Sequence, residues 1–354
     1  MPCLNSRHSL GSDGFLSQEL SEIMGWTTTQ DPPSRRETYP VRIRMRQRIQ
    51  VGFGLLAVLA AGMTVYAAWP AALPPGEPEH EDGNYSETPL TAQQIHDLVN
   101  QAVENQRRND FLLHQYARTE HSVFHGSNKE PDRDVVSRVI PAGEGIIRVE
   151  LQRDGKTSDA AYLEQQWHGA AQALLAEANG RDPHIPNFYE TARHMHERAD
   201  MVGAIGKAFT FRWAGRVSAN GRPVVKLTFT PDPTYRSSAR YAVLYAHSRG
   251  TAWVDESSAQ LIRADAQLTD DVSWGAGLIA KLYRGGQFSF EQREVEPNLW
   301  MPSRYGYDFD GRKFLFSLNI HERMEYSEYL RVGLPEEAIA VIRREHPSIF
   351  ANNN

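Results

Sequence analysis

Histidines and paired carboxylates are the residues of this chain whose spacing suggests metal binding or acid–base catalysis. His194-Met195-His196 falls in a segment predicted to be helical, where residues two apart point to different faces and do not bind one ion. Asp270-Asp271 follows a predicted strand, and adjacent side chains at the end of a strand face opposite ways. Both groups are typical of solvent-exposed residues, so the sequence predicts neither a metal site nor a catalytic carboxylate pair.

Recognisable catalytic signatures are missing from the sequence. It has no His-Glu-x-x-His zinc motif and no Gly-x-Ser-x-Gly nucleophile elbow, and Gly285-Gly286 lacks the Lys-Ser/Thr of a phosphate-binding loop. The single cysteine, Cys3, leaves the rest of the chain without a disulfide or a thiolate nucleophile. We therefore expect a protein that is not an enzyme, has no catalytic residues and uses no cofactor.

Large apolar side chains alternate with polar ones along three predicted strands. Two of these strands form a hairpin around Asn220-Gly221, and the third leads into a second hairpin around Asp310-Gly311. Alternation places each apolar set on one face of a sheet. The sets form either the core beneath the helices or the lining of a cavity that holds an acyl group. The candidate ligand-cavity residues are Phe209, Phe211, Trp213, Val225, Leu227, Phe229, Tyr305, Tyr307 and Phe309.

Helical and strand patterns elsewhere in the chain predict the architecture that must position these residues. A capping box at Thr91 starts a helix, and further helices are predicted over residues 160–178, 188–207 and 335–346. Other strands are predicted over residues 111–124, 146–151, 251–254, 260–268 and 287–295. Helices grouped before and within a series of antiparallel strands indicate an α+β fold, in which helices cap a curved antiparallel sheet.

The N-terminal part contains an uncharged run that predicts export of the rest. Residues 51–69 approach the roughly 20 apolar residues that cross a bilayer as a helix. Four arginines precede the run and a cluster of acidic residues follows it, so the positive-inside tendency places the N-terminus in the cytoplasm. Read from Met45, the same stretch resembles a cleavable signal peptide.

The chain therefore divides into four predicted regions. Residues 1–48 are a cytoplasmic tail or an over-extended start, with Met1 or Met45 as the true first residue. Residues 49–69 are a signal peptide or a signal-anchor transmembrane helix, and residues 70–89 are a linker rich in proline and acidic residues. Residues 90–354 are an exported α+β domain in the periplasm, released by cleavage near Ala67 or anchored in the inner membrane.

Charge argues against one class of partner. The net charge is −6, and the exported part is more acidic than the N-terminal region. A nucleic-acid partner requires a basic footprint, so none is expected.

Three stretches carry a resemblance to a known family. They are "RGTAWVDESSAQLIRADAQL" (residues 249–268), "FSFEQREVEPNLWMPSRYGYDF" (residues 288–309) and "KFLFSLNIHERMEYSEY" (residues 313–329). Residues 91–332, and mainly residues 250–332, thereby resemble periplasmic lipoprotein-sorting carriers of the LolA-like type, whose relatives include envelope-stress regulators. The resemblance implies an unclosed β-barrel that is lined by apolar residues, capped by helices and able to bind acyl chains.

These observations favour one function and leave two others open. The first is an exported, non-catalytic binding protein for an apolar ligand such as a lipid or a lipoprotein acyl chain. Its partners would be a lipid or an acylated protein, and the inner membrane at least during export. The second is a membrane-anchored regulatory or scaffolding module that binds another envelope protein, and the third is an envelope hydrolase.

Overall fold

The computed structural model describes residues 88–347 and 349, except 126–131, 144, 186–187, 220, 240 and 315. Side chains are described for all of these residues other than 188–195 and 276. The predicted tail, the apolar segment 49–69 and nearly all of the predicted linker lie outside the described residues. Within the described part, none of the helices is both long enough and apolar enough to span a membrane.

Helices and strands follow one another in an α+β arrangement. The first half contains α1 (Ala92–Leu113), β1 (Tyr116–His125), β2 (Arg133–Ala142), β3 (Gly145–Arg153), β4 (Lys156–Thr157), α2 (Ala160–Ala178) and α3 (Phe188–Ala208). The middle contains β5 (Phe209–Ala219), β6 (Arg222–Pro231), α4 (Ala242–Ala246), β7 (Ser248–Asp255), β8 (Leu261–Leu268), β9 (Val272–Trp274) and β10 (Ala280–Leu282). The last part contains β11 (Gln287–Glu296), β12 (Leu299–Lys313), β13 (Phe316–Arg331) and α5 (Pro335–Glu345).

The described strands form one 13-stranded antiparallel sheet. Its main order is β4-β3-β2-β1-β13-β12-β11-β8-β7-β6-β5, and the short strands β9 and β10 extend from β12. In the described structure β4 and β5 are the two ends of this order and do not pair with each other, so the sheet is open. The predicted α+β class with an unclosed antiparallel sheet and capping helices is confirmed.

The sheet has two different sides because successive side chains of a strand alternate. One side, called the helix side, lies under α1 and α3. Ile95 and Val99 of α1 pack on Val225 and Leu227 of β6, and Ile205 of α3 packs on the neighbouring cluster. The opposite side is called the polar side.

Residues that pair between neighbouring strands form rows across six strands, from β6 to β13, and each row lies on one side of the sheet. One helix-side row consists of Phe229, Gly250, Ala266, Phe288, Tyr307 and Glu322. The adjacent polar-side row consists of Thr228, Thr251, Asp265, Ser289, Gly306 and Arg323. The contrast between the two rows shows that the alternation read from the sequence sets the orientation of the whole sheet.

The predicted helices agree closely with the observed ones. Helix α1 begins at a capping box, in which the Thr91 hydroxyl accepts from the Gln94 amide at 3.3 Å and the Gln94 side chain accepts from the Thr91 amide at 2.9 Å. Helix α2 has the predicted bounds. Helices α2 and α5 pack together beside β2 and β3, where Trp167 stacks on His346 with ring centroids 4.0 Å apart.

The second hairpin turns at a different place from the one predicted. Strand β12 passes straight through Asp310-Gly311 and ends at Lys313, which pairs with Phe316. A Cβ at Gly311 would collide with the backbone oxygen of Lys281 in β10. The prediction of a turn there was wrong because this glycine allows a neighbouring strand to approach closely.

Two further boundaries differ near the start of the domain. Helix α1 continues to Leu113, so the strand predicted from residue 111 begins only at Tyr116. Strand β2 was not predicted at all. Its last four residues are all buried, because the end of this strand is covered on both faces, and it therefore lacks a clean alternation.

The turn between β7 and β8 is held by one buried carboxylate. Oδ1 of Asp255 accepts from the amide and hydroxyl of Ser257 at 3.0 and 2.6 Å, and from those of Ser258 at 2.8 and 2.9 Å. Asn105 of α1 donates to the carbonyl oxygens of Ser258 and Ala259, at 2.9 and 3.0 Å. The aspartate therefore shapes the turn on which the helix rests.

Replacing this carboxylate tests that role. We expect Asp255→Asn to lower the free energy of unfolding by about 2 kcal/mol, because hydrogen bonds to a charged acceptor are replaced by weaker ones in a buried turn. Urea denaturation followed by circular dichroism measures the change. The control is Asp270→Asn, at an exposed carboxylate near the end of β8. Equal stability of the two variants would contradict the assignment.

Candidate ligand-binding site

The first group of predicted cavity residues lies together on the helix side of β5 and β6. The ring of Phe229 lies 5.0 Å from that of Phe209 and 5.9 Å from that of Phe211, measured between centroids. Tyr245 of α4 approaches Phe209 at 5.0 Å, and its hydroxyl donates to the carbonyl of Met201 in α3 at 2.9 Å. Helices α3 and α4 thus cover this aromatic group.

The remaining residues of the first hairpin differ in exposure. Val225 and Leu227 are fully buried under α1 and belong to the core between helix and sheet. Trp213 and Phe211 pack against the same cluster but are only partly buried. These two aromatic side chains therefore remain partly accessible on the helix side.

The second group lies across β11 and β12. Tyr305 and Tyr307 are parallel, with centroids 6.3 Å apart, and Phe290 and Phe288 of β11 approach them at 4.7 and 5.4 Å. Phe309 is buried further along the strand, in a cluster with Phe124, Leu282, Leu318 and Ile320 against which Phe288 and Tyr307 also pack. The nine predicted residues thus share one side of the sheet without forming a single cluster.

A strip of small residues separates the two aromatic groups. Gly250 and Ala252 of β7 pair with Ala266 and Ala264 of β8, all on the helix side. A Cβ at Gly250 would collide with the Phe229 ring and the backbone of β8, so the glycine permits this packing. Since strands lie about 4.8 Å apart, the strip leaves roughly 14 Å between Phe229 and Phe288 across the sheet.

An ion pair between a mostly buried aspartate and a half-buried arginine joins the two covering helices above the second group. Arg198 of α3 donates to both carboxylate oxygens of Asp110 in α1, at 2.9 and 3.1 Å. Its guanidinium lies 5.7 Å from the ring centroid of Tyr305 and 5.9 Å from that of Phe290. Burial raises the pKa of Tyr305 to about 12, so its phenol stays neutral. Tyr305 is thus buried beneath a cation, whereas Tyr307 is partly accessible.

A second charged group is buried at the β1 end of the helix side. Glu120 accepts from Arg118 at 2.7 Å and from Arg148 of β3 at 3.2 Å, and both residues of the Arg118–Glu120 pair are 7% exposed. Burial opposes ionisation of Glu120, but the two guanidinium groups outweigh it and hold the pKa below its usual value. This group was not predicted from the sequence, although Arg118, Glu120, Ser122 and Phe124 share one strand face.

The polar side carries a cleft of about 1400 Å³. Elsewhere on the polar side, Trp253 is buried between two cations, with Lys226 at 5.3 Å and Arg263 at 4.8 Å from its ring. The lining of the cleft includes charges of both signs, among them Arg249, Arg263, Arg304, Arg323, Asp265 and Asp308. Of the nine predicted residues, Phe229 and Tyr307 also contribute to this lining.

The residues first considered for chemistry lie apart from these groups. Asp270 lies 3.6 Å from His247, whereas Asp271 forms an ion pair with Lys281 at 2.6 Å. His196 is exposed, and the side chain of His194 lies outside the described part. Among the described residues there is no group of three or more His, Cys, Asp or Glu side chains placed to hold a metal ion.

Comparison with known proteins gives structural neighbours only. No protein-family model matches the chain, and no curated protein matches it. A putative outer membrane lipoprotein-sorting protein domain from Vibrio parahaemolyticus is 9% identical, with 70% of this chain and 100% of that chain covered and a TM-score of 0.28. A LolA superfamily protein from Nitrosomonas europaea is 12% identical, with 71% and 97% covered and a TM-score of 0.28.

A third solved structure has the same kind of likeness. It is a DUF1329 family protein from Desulfovibrio piger, 14% identical, with 73% of this chain and 98% of that chain covered and a TM-score of 0.25. The structural neighbours thus include proteins named for the LolA superfamily and for lipoprotein sorting.

The buried Glu120 predicts a pH-dependent stability. Because its folded pKa lies below the usual 4.5, its contribution is complete above pH 4.5 and is lost as the pH falls through the folded pKa. We expect Glu120→Gln to lower the free energy of unfolding by about 3 kcal/mol at neutral pH, since the buried Arg118 and the partly buried Arg148 lose their charged partner. The difference in stability between this variant and the unmodified protein should be smaller in acid.

Chemical denaturation between pH 7 and pH 3 measures this difference. Glu104→Gln is the matched control, because Glu104 pairs with Arg107 at an exposed position. A constant difference between Glu120→Gln and the unmodified protein over the whole pH range would contradict the prediction.

Proposed function

We propose that this chain is an exported, non-catalytic binding protein that holds an apolar ligand, such as a lipid or a lipoprotein acyl chain, on the helix side of its sheet. The observation that carries the proposal is the pair of partly buried aromatic groups beside the strip of small residues on β7 and β8. Phe229 and Phe288 border the strip. The partly accessible Phe211 and Tyr307 lie one strand further out on either side, and Trp213 lies beside Leu227 on the same strand as Phe211.

An apolar ligand suits this arrangement energetically. Each buried methylene contributes about 0.8 kcal/mol, so ten of them contribute about 8 kcal/mol. Association costs about 4–15 kcal/mol in lost motion. A single chain would bind reversibly, whereas a ligand with two or three chains would bind firmly. Such a balance suits a protein that accepts and releases a multi-chain lipid or an acylated protein.

The roles of the nine candidate residues differ within the proposal. Phe211, Trp213 and Tyr307 would contact the ligand, because they are partly accessible. Val225 and Leu227 would hold the wall in place from beneath, because they are fully buried under α1. Phe209, Phe229, Tyr305 and Phe309 are buried at 7–9% exposure and would complete the apolar surface.

The proposed location is the periplasm, on the basis of the uncharged run at residues 49–69 and the charges that flank it. Cleavage near Ala67 would release a protein able to move between membranes. Retention of the run as a helix would keep the body at the inner membrane.

A second candidate function is a membrane-anchored regulatory or scaffolding module. The observation that favours it is the cleft on the polar side, which is large and carries both positive and negative side chains. Mixed charge of this kind suits a complementary protein surface more than a lipid tail.

Paired substitutions separate the two sides of the sheet. We expect Phe211→Ala and Tyr307→Ala to weaken binding of a fluorescent fatty-acid analogue to the full chain about tenfold or more, because each removes apolar contact with the ligand. Thr210→Ala and Asp308→Ala are matched controls, since each lies one residue away on the polar side and is exposed. Fluorescence titration measures the affinities, and thermal unfolding verifies that each variant is folded. Equal binding by all four variants would contradict a helix-side ligand.

Mass spectrometry of the protein isolated gently from its native envelope tests its processing and its cargo. We expect a chain that begins near Ala68, together with a bound lipid or acylated peptide, because a carrier must leave the inner membrane. A chain that retains residues 49–69 and carries no lipid would favour the second candidate.

A further inference from the structure

Two turns lie side by side at one end of the sheet and form a single projection, called the double turn. The first is the β9–β10 turn (residues 275–279), and the second joins β12 to β13 and is described at Lys313, Phe314 and Phe316. The amide of Phe314 donates to the carbonyl of Ile279 at 2.8 Å, and Ala280 pairs with Lys313. The two turns are therefore joined through the backbone and keep a defined relative position.

The double turn concentrates exposed apolar side chains. Leu278 is 77% exposed, Ile279 43%, Phe314 54% and Phe316 63%, and Tyr283 just beyond β10 is 41% exposed. Among the described residues only three other large hydrophobic side chains are exposed, and they lie elsewhere, at Phe111, Tyr162 and Leu334. Scattered apolar residues are normal on a surface, but a contiguous apolar projection is typical of an interaction site.

The backbone conformation of Phe314 strengthens this interpretation. Its φ is 54°, in the left-handed region, where a bulky side chain costs roughly 1–2 kcal/mol and where Gly or Asn is favoured. The exposed ring makes no compensating contribution to the core. A phenylalanine is thus placed where the stability of the turn alone would select a different residue, as is common at functional positions.

Basic residues surround the base of the double turn. Lys281 of β10 lies opposite Arg312 of β12, and Lys313 and Arg284 lie on either side. Three acidic residues lie nearby, Asp270, Asp271 and Asp310. Asp271 pairs with Lys281, and Asp310 lies 3.3 Å from His321. The projection therefore has a positive balance in a chain whose net charge is −6.

We propose that the double turn docks the protein on an anionic lipid bilayer. The apolar tips would enter the boundary between headgroups and acyl chains, while Arg284, Arg312 and Lys313 contact the phosphates. A second copy of the chain fits less well as the occupant. A two-fold symmetric contact would bring the basic residues at the base of one double turn close to those of the other, and like charges repel. The proposal stands on the geometry of the double turn and does not depend on the ligand proposed above.

The layer beneath the tips gives the docking surface a rigid support. Ala280 and Leu282 of β10 are buried against Phe309 and Leu318 of the hairpin below. Arg312 also donates to the carbonyl of Gly277 at 3.0 Å and thereby ties the first turn to β12. The tips thus extend from a packed base, which keeps them together at a bilayer surface.

A local fluorescence readout tests the proposal on the full chain. In a Cys3→Ser background, Phe316→Cys and, separately, Phe111→Cys are labelled with a polarity-sensitive dye and mixed with vesicles of phosphatidylglycerol or of phosphatidylcholine. Phe111 is the matched control, because it is 70% exposed and adjoins residues packed near Leu299, at the opposite end of β12. Because the dye reports its own surroundings, the result does not depend on whether residues 49–69 are retained.

We expect a blue shift at position 316 with phosphatidylglycerol that is much smaller with phosphatidylcholine, and no shift at position 111. Adding Arg284→Gln and Lys313→Gln should weaken the apparent affinity for phosphatidylglycerol about tenfold or more. No shift at 316, or an equal shift at 111, would overturn the proposal. A shift at 316 without lipid that grows with protein concentration would overturn it in favour of a protein partner, and equal shifts with both lipids would overturn the role of the basic residues.

Discussion

The period-two alternation of the strands is the constraint on which the rest of this structure depends. The long central strands, from β6 to β12, present mainly apolar residues to the helices and mainly polar residues to the other side, in a sheet that pairs without interruption from β4 to β5. A slip of one residue in any strand would place charges such as Arg263 and Asp265 beneath the helices. Gly250 and Gly311 show how closely the register is set, since each occupies a point where any side chain would collide with a neighbouring strand.

Polar contacts and apolar packing together position α1 on the sheet. Gln106 of α1 accepts from Gln292 of β11 at 2.7 Å, and Asn109 donates to Gln260 at 2.8 Å. Together with the Asp110–Arg198 pair, these bonds lie along one face of α1, next to the apolar residues that cover β6. Apolar surfaces slide easily over one another, whereas hydrogen bonds between buried groups hold one arrangement.

The elements with strong local signals could be predicted from the sequence. The capping box at Thr91 and the Asp159 cap position the starts of α1 and α2, and the alternation of β5 and β6 appears as the expected hairpin. The turn predicted at Asp310-Gly311 was wrong, because an Asp-Gly pair occurs both in turns and where a neighbouring strand approaches a glycine closely. Only the neighbouring strand, which the sequence does not reveal, distinguishes a turn from a close approach. Strand β2 lacks alternation because its end is covered on both sides.

The candidate site could be predicted in part. Alternation places the nine aromatic and aliphatic residues on a common side, as the register confirms, but it does not tell which of them meet. That depends on pairing between distant strands, which brings the small residues of β7 and β8 between the two aromatic groups. The buried Arg118–Glu120–Arg148 group was missed for the same reason, since Arg148 joins it from another strand.

The two ends of the open sheet bear on how the protein avoids associating with itself. Strand β4 offers only two residues to an incoming chain. Strand β5 is 11 residues long, but its register shifts between Trp213 and Gly215, and Arg212 points outward beside the shift. Such a bulge and a charge interrupt the regular row of backbone donors and acceptors that strand addition requires. An unclosed sheet can thus keep free edges without acting as a template for aggregation.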